Sequence, residues 1–109
     1  MLDKKISISG FELDTSEKEK VNEVLESYIK KIESKAKDYQ EIKIRLKKSA
    51  HGKAFLHEVE GEFITKDKII TSKYTDYNLL KALAEVFEKM LVDIDRIKEK
   101  SIEKNEKKI

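Results

Sequence analysis

Between positions 27 and 53 the chain places nine basic side chains, Lys30, Lys31, Lys35, Lys37, Lys43, Arg45, Lys47, Lys48 and Lys53, against three acids, Glu33, Asp38 and Glu41. That stretch carries an excess of six positive charges, whereas the 109 residues together carry a formal +2. The chemistry open to such a segment is electrostatic, the attraction of an anionic partner. The same lysines also serve as an ordinary solvated surface around a core. Other reactive types offer less. His57 is expected inward on a strand with a hydrogen-bond partner, and His51 in a turn. Two histidines without Asp or Glu at ligand spacing make no metal site. His57 and Glu58 are neighbours on a strand, so they project from opposite faces and cannot act together. Glu58, Glu60 and Glu62 share a face, where carboxylates beside Lys form ion pairs and not an acid–base dyad. Three widely spaced glycines make no phosphate loop, and the absence of Cys removes disulfides, thiol catalysis and thiolate metal sites. No enzyme, cofactor, metal or small-molecule substrate is expected.

Two periods position these residues. Apolar side chains at Val21, Val24, Leu25, Tyr28, Ile29, Ile32 and Ala36 have the spacing of an amphipathic helix over 16–37. Ser16 and Glu19 have the spacing of its capping box, with Asp14, Glu17 and Glu19 near its positive end. The Lys-rich last turn suits the negative end, a structural use for part of the basic cluster. A short strand over 4–9 precedes the helix, with Ile6 and Ile8 on one face. After it, Ile42, Ile44 and Leu46 alternate with Lys43, Arg45 and Lys47, the period of a half-buried strand. A tight hairpin with His51-Gly52 at its tip opposes Ile44 to Val59, Leu46 to His57 and Ile42 to Gly61 on the inner face. Outside, Arg45 then meets Glu58 and Lys43 meets Glu60. A second hairpin around Lys66-Asp67 opposes Phe63 to Ile70 and Val59 to Tyr74 inside, Glu60 to Lys73 and Glu62 to Thr71 outside. Lys30, Lys31, Lys35, Lys37, Lys47, Lys48 and Lys53 have no acid opposite them in this register.

A second helix is expected from an N-cap at Thr75 or Asp76 to about Lys100, with Leu80, Leu83, Ala84, Phe87, Met90, Leu91, Ile94 and Ile97 at helical spacing. Leu79, Val86 and Met90 widen its apolar face, as core against both sheet and first helix or as a partner surface. Ile64 and Ile69 face outward opposite each other. The resulting order, β-α-β-β-β-α, predicts an α+β fold: a four-stranded mixed sheet with strands one and two parallel and both helices packed on one face. Residues 1–100 form one domain, and 101–109 a charged tail, a frayed continuation or a flexible end. Charged residues are 42% of the chain, with Lys far above Arg and no Pro, a composition common in thermophiles and in low-GC genomes. The start lacks the apolar core of a secretory signal, and no window approaches 18 apolar residues, so a soluble cytoplasmic protein with no membrane partner is expected.

With that order in place, the chain resembles the short ribosome hibernation-promoting factor and ribosome-associated inhibitor A family over roughly residues 4–100. Ile6-Ser-Ile-Ser-Gly10 is similar to the family's opening strand, Tyr28-Ile-Lys-Lys-Ile32 to its first-helix pattern, and Ile44-Arg-Leu-Lys47 to its second strand. Thr75-Asp-Tyr-Asn-Leu-Leu80 resembles the segment opening its last helix, with Tyr77 at the family's Tyr position. Order and spacing carry the likeness, not any single motif. The long forms add a dimerisation domain, and the chain is expected to end before one. The resemblance implies a fold like that of double-stranded RNA-binding domains and binding to the small ribosomal subunit between head and body. Lys31 and Lys47 fall at commonly Lys positions, and Lys89 at a commonly basic one. Val86 replaces a frequent Lys, Lys81 a usual Asp, and Asp93 and Asp95 a usual basic run, which reduces the positive charge available for phosphate contact. The function expected is ribosome association that inhibits translation or protects idle ribosomes. The RNA-binding set is Lys30, Lys31, Lys35, Lys37, Lys47, Lys48, Lys53 and Lys89. Two other readings remain: a general double-stranded RNA-binding module, and an interaction module forming a homodimer or docking through the open sheet face.

Overall fold

Alternation of apolar and charged residues builds the sheet, and only one of its faces is buried. The computed structural model describes residues 6–10, 13–36 and 39–107, with side chains described as far as residue 97. The elements are β1 (Ile6–Gly10), α1 (Thr15–Lys35), β2 (Glu41–His51), β3 (Ala54–Ile64), β4 (Ile69–Asp76) and α2 (Leu79–Lys107). The strands lie in the order β1-β2-β3-β4. β1 runs parallel to β2, and the other neighbours are antiparallel. Ile6, Ile42, Ile44, Leu46, Val59, Phe63 and Ile70 are buried on one face, and α1 and α2 complete the core there with Leu25, Ile32, Leu83, Val86, Phe87 and Met90. The expected mixed sheet with two helices on one face is therefore the fold. Leu79, Val86 and Met90 are all buried, so the widened face of α2 is core and not a partner surface.

The β3–β4 register is as the sequence predicts, with Phe63 opposite Ile70, Val59 opposite Tyr74 and Glu60 opposite Lys73. The β2–β3 register is not. Ile44 opposes Gly61, Leu46 opposes Val59, Ile42 opposes Phe63, and Lys48 stands opposite His57. The tip is Gly52-Lys53, with His51 paired to Ala54, so every pair is slipped by two residues from the expected one. The turn explains the difference. A His51-Gly52 tip of type I′ would require positive φ at both residues, whereas Gly at the first central position suits type II′. Gly52 has φ +65, and no residue type but Gly has positive φ among the described residues. The slip sets Ile44, in place of Ile42, opposite Gly61. Gly61 lies beneath α2, where an added Cβ would sit 2.7 Å from Val86 Cγ1 and 3.1 Å from Met90 Cε. A slip of two keeps each side chain on its face, so Lys43 and Arg45 remain exposed as expected.

Both helix starts differ from the predicted caps. Asp14, not Ser16, caps α1: its Oδ1 accepts from the Glu17 amide at 2.7 Å, and Glu17 Oε1 accepts from the Asp14 amide at 3.3 Å. The capping-box spacing is the same, two residues earlier, where Leu13 packs against the core and fixes the entry of the chain. β4 takes up Thr75 and Asp76, because its ladder runs on to pair Asp76 with His57. Asn78 then caps α2, with Oδ1 accepting from the Lys81 amide at 3.1 Å, while Asp76 Oδ1 holds the Asn78 amide at 2.8 Å. α1 ends at Lys35 and α2 continues to Lys107, beyond the expected Lys100. Among the described residues one polar side chain, Ser72, is buried; it donates to the Val86 carbonyl at 3.0 Å and ties β4 to α2. Each fully buried Leu, Ile or Phe contributes about 1.5–3 kcal/mol, against about 0–1 kcal/mol for an exposed ion pair. The core holds this fold, and the charges are left to act at the surface.

Candidate nucleic-acid interface

The basic residues divide among three places. Lys30, Lys31 and Lys35 lie on the last turns of α1, which hand over to the start of β2 through Tyr39, whose hydroxyl donates to Glu33 at 3.0 Å. Lys47, Lys48 and Lys53 lie toward the far end of the β2–β3 hairpin. β2 has 11 residues, so at about 3.3 Å per step its ends stand about 33 Å apart. The α1 group and the hairpin group are therefore at opposite ends of the sheet. Lys89 occupies a third place against β4, donating to the Lys73 carbonyl at 3.3 Å with its Nζ 5.1 Å from the Tyr74 ring centroid. Lys37 lies outside the described residues.

Two of the candidates have acid partners that sequence spacing does not assign them. Lys35 Nζ holds both carboxylate oxygens of Asp95 at 2.9 Å, pinning the end of α1 to α2. Lys47 faces Glu58 across the outer sheet, 4.0 Å away. The first pair is separated by 60 residues, beyond the reach of any local periodicity. In the second, the slipped register moves Glu58 from Arg45 to Lys47. The outer face is a ladder of alternating sign. Lys43, Arg45 and Lys47 on β2 oppose Glu62, Glu60 and Glu58 on β3, and Lys73 on β4 stands beyond Glu60. Arg45 reaches Glu60 at 3.2 Å, and Lys73 reaches diagonally to Glu58 at 2.9 Å. The hydrogen bond from Lys73 lowers the Glu58 pKa, and the same bond raises that of Lys73. This face is internally neutralised and is a poor candidate for phosphate contact.

Other lysines keep different company. Lys31 Nζ stands 4.9 Å from the centroid of the Tyr28 ring, and that ring stacks on Phe87 at 5.2 Å. The Tyr28 hydroxyl donates to Glu88 at 2.7 Å. Burial, and then that bond, push its pKa up to about 12. Lys30 and Lys53 are exposed. Beyond Leu46 and Val59 the hairpin runs out past the helices, for Lys48, Ala50 and Phe55 share the buried face yet are exposed. Lys48 Nζ sits 4.5 Å from the Phe55 ring centroid. His57 is half-buried at the root of this extension, with Nδ1 2.9 Å from the Tyr77 carbonyl oxygen. Neither Phe55 nor Tyr77 is among the residues that charge and spacing nominate for RNA contact. Parity places Phe55 on the inner face, and only the length of the hairpin relative to the helices exposes it. Among the described residues no three His, Asp or Glu side chains gather as a metal would need, and no helix is long and apolar enough to cross a membrane.

Neither a family model nor a curated protein matches this chain. Solved structures do. A ribosomal subunit interface protein from Coxiella burnetii superposes with a TM-score of 0.66 at 16% identity, covering 85% of this chain and 96% of its own. The N-terminal domain of Protein Y from Thermus thermophilus gives a TM-score of 0.57 at 16% identity, with 84% of this chain and 94% of its own covered. The chain shares its fold with these two proteins. On this fold the α2 acids are used locally: Asp95 binds Lys35, and Asp93 lies 3.9 Å from Arg96. Lys81 approaches Asp76 at 3.8 Å.

Proposed function

We propose that this protein associates with the small ribosomal subunit, contacting ribosomal RNA through lysines at the two ends of its sheet and on α2, and so holds idle ribosomes out of translation. The observation that carries the reading is the fold shared, over 85% of the chain, with a protein described as a ribosomal subunit interface protein. The basic segment supports it. Among the described residues no acid forms an ion pair with Lys30, Lys31 or Lys53. These three, with Lys48 and Lys89, are the proposed contacts; Lys35 and Lys47 instead maintain the scaffold. Co-sedimentation with purified small subunits over a salt series tests the reading. Changing Lys30, Lys31 and Lys53 to Glu should weaken association and flatten the dependence of log affinity on log salt by roughly one unit for each phosphate left unneutralised. A variant that pellets as the parent does at every salt concentration would remove the proposed interface. Binding to duplex RNA without binding to subunits would replace the ribosome with A-form RNA in general.

A further inference from the structure

We propose that the outer end of the β2–β3 hairpin is a stacking arm for an unpaired RNA base, with the Phe55 ring as platform and Lys48 taking an adjacent phosphate. The inference rests on the reading that the partner is RNA, and it names the kind of RNA contact this end of the molecule makes. From Ile42 to His57 the chain has five Lys or Arg, two His and no acid. Past the helices, Lys48 stands over the Phe55 ring, which is 50% exposed opposite the small Ala50. Tyr77, 58% exposed, stands at the root of the same arm, where its carbonyl meets His57. At the tip, Gly52 has open space around it.

The Lys48–Phe55 contact indicates how the platform works. An exposed cation–π contact is weaker than a base stacked on an aromatic ring. A base can therefore displace the ammonium, which moves the short distance to the phosphate that arrives with the base. In a duplex the base faces are already stacked on each other and a ring finds only backbone, so the partner is single-stranded or looped RNA. A polyacidic peptide would satisfy the lysines but offers no flat surface to the ring.

Binding of a fluorescent eight-nucleotide single-stranded RNA, measured by anisotropy at fixed salt, tests this. Phe55→Leu should weaken it roughly tenfold, in line with the stacking contribution of one base, and leave the salt slope unchanged. Lys48→Gln should weaken binding and reduce the slope. Both side chains are exposed, and unchanged thermal melting will show that the variants are folded. Equal binding by parent and Phe55→Leu, no binding by the parent, preference for a 16-base-pair duplex, or equal displacement by polyglutamate would each overturn the proposal. Parallel pelleting with small subunits separates the two claims. If the parent pellets and Phe55→Leu binds both subunits and RNA as the parent does, stacking falls and ribosome association stands. If the oligomer needs Phe55 but the parent does not pellet, the reverse holds.

Discussion

At Gly61 one hydrogen atom fills the space beneath α2. A methyl group there meets Val86 at 2.7 Å and Met90 at 3.1 Å. Gly61→Ala is expected to cost about 1–3 kcal/mol through overpacking, and Val86→Ala in the same chain should recover part of it. A thermal denaturation cycle over the four variants measures the coupling. Tyr28 gives a pH signature. Its folded pKa, about 12, lies above the ordinary phenol value of about 10. The folded state thus holds the proton more tightly. Stability from this group is complete below pH about 10 and is lost as pH rises from 10 to 12. In a titration followed at 295 nm Tyr28 should ionise late, and Tyr28→Phe should remove that late component. At this scale the sequence was a good guide to which residues are apolar and inward, and a poor one to partners. Nothing in spacing joins Lys35 to Asp95 or Tyr28 to Glu88, because those pairs depend on how two helices lie against each other.

Elements were legible wherever a period ran long enough to be unambiguous. The order, the parallel β1–β2 pair, the β3–β4 register and the helix faces all follow from alternation and 3.6-residue spacing. The α1 cap and the first hairpin did not, for one physical reason: each had a near-equivalent two residues away. Asp14–Glu17 and Ser16–Glu19 have the same spacing, and the alignment two residues away still sets Lys43 against Glu60 and Arg45 against Glu58, two opposite-charge pairs where the actual one has three. A disulfide distinguishes them, since it needs Cα atoms about 4.4–6.8 Å apart. Ser49→Cys with Leu56→Cys, directly opposed here, should oxidise readily. Ser49→Cys with Ala54→Cys, opposed only in the alternative alignment, should not. Glu58→Gln tests the ladder. Its lowered pKa means a contribution present above the ordinary carboxylate range and lost as pH falls through the folded value. The variant should therefore show a shallower loss of melting temperature in acid, and a deficit at neutral pH that fades as salt is added.

Across the whole molecule, charge is partitioned: an outer face that neutralises itself, and basic ends separated by the length of β2. The two ends are too far apart to touch each other or the same group on the subunit, so the effects of changes there on subunit binding should add. Lys30 and Lys31 to Glu, Lys48 and Lys53 to Glu, and the combined variant, compared by co-sedimentation, check this; strong non-additivity would mean that the ends act as one site. The fold as a whole was legible because layer order survives local slips. The division of the interface was not, because it depends on which lysines the acids of other elements reach. The repeating outer ladder also shapes how the chain arrives at this state. A collapsing hairpin meets a second alignment that keeps two of the three opposite-charge pairs, and the Gly52 turn favours the actual one. Folding should then show a slow phase from molecules that zipped in the wrong alignment and must open again, with an amplitude that grows in Gly52→Ala.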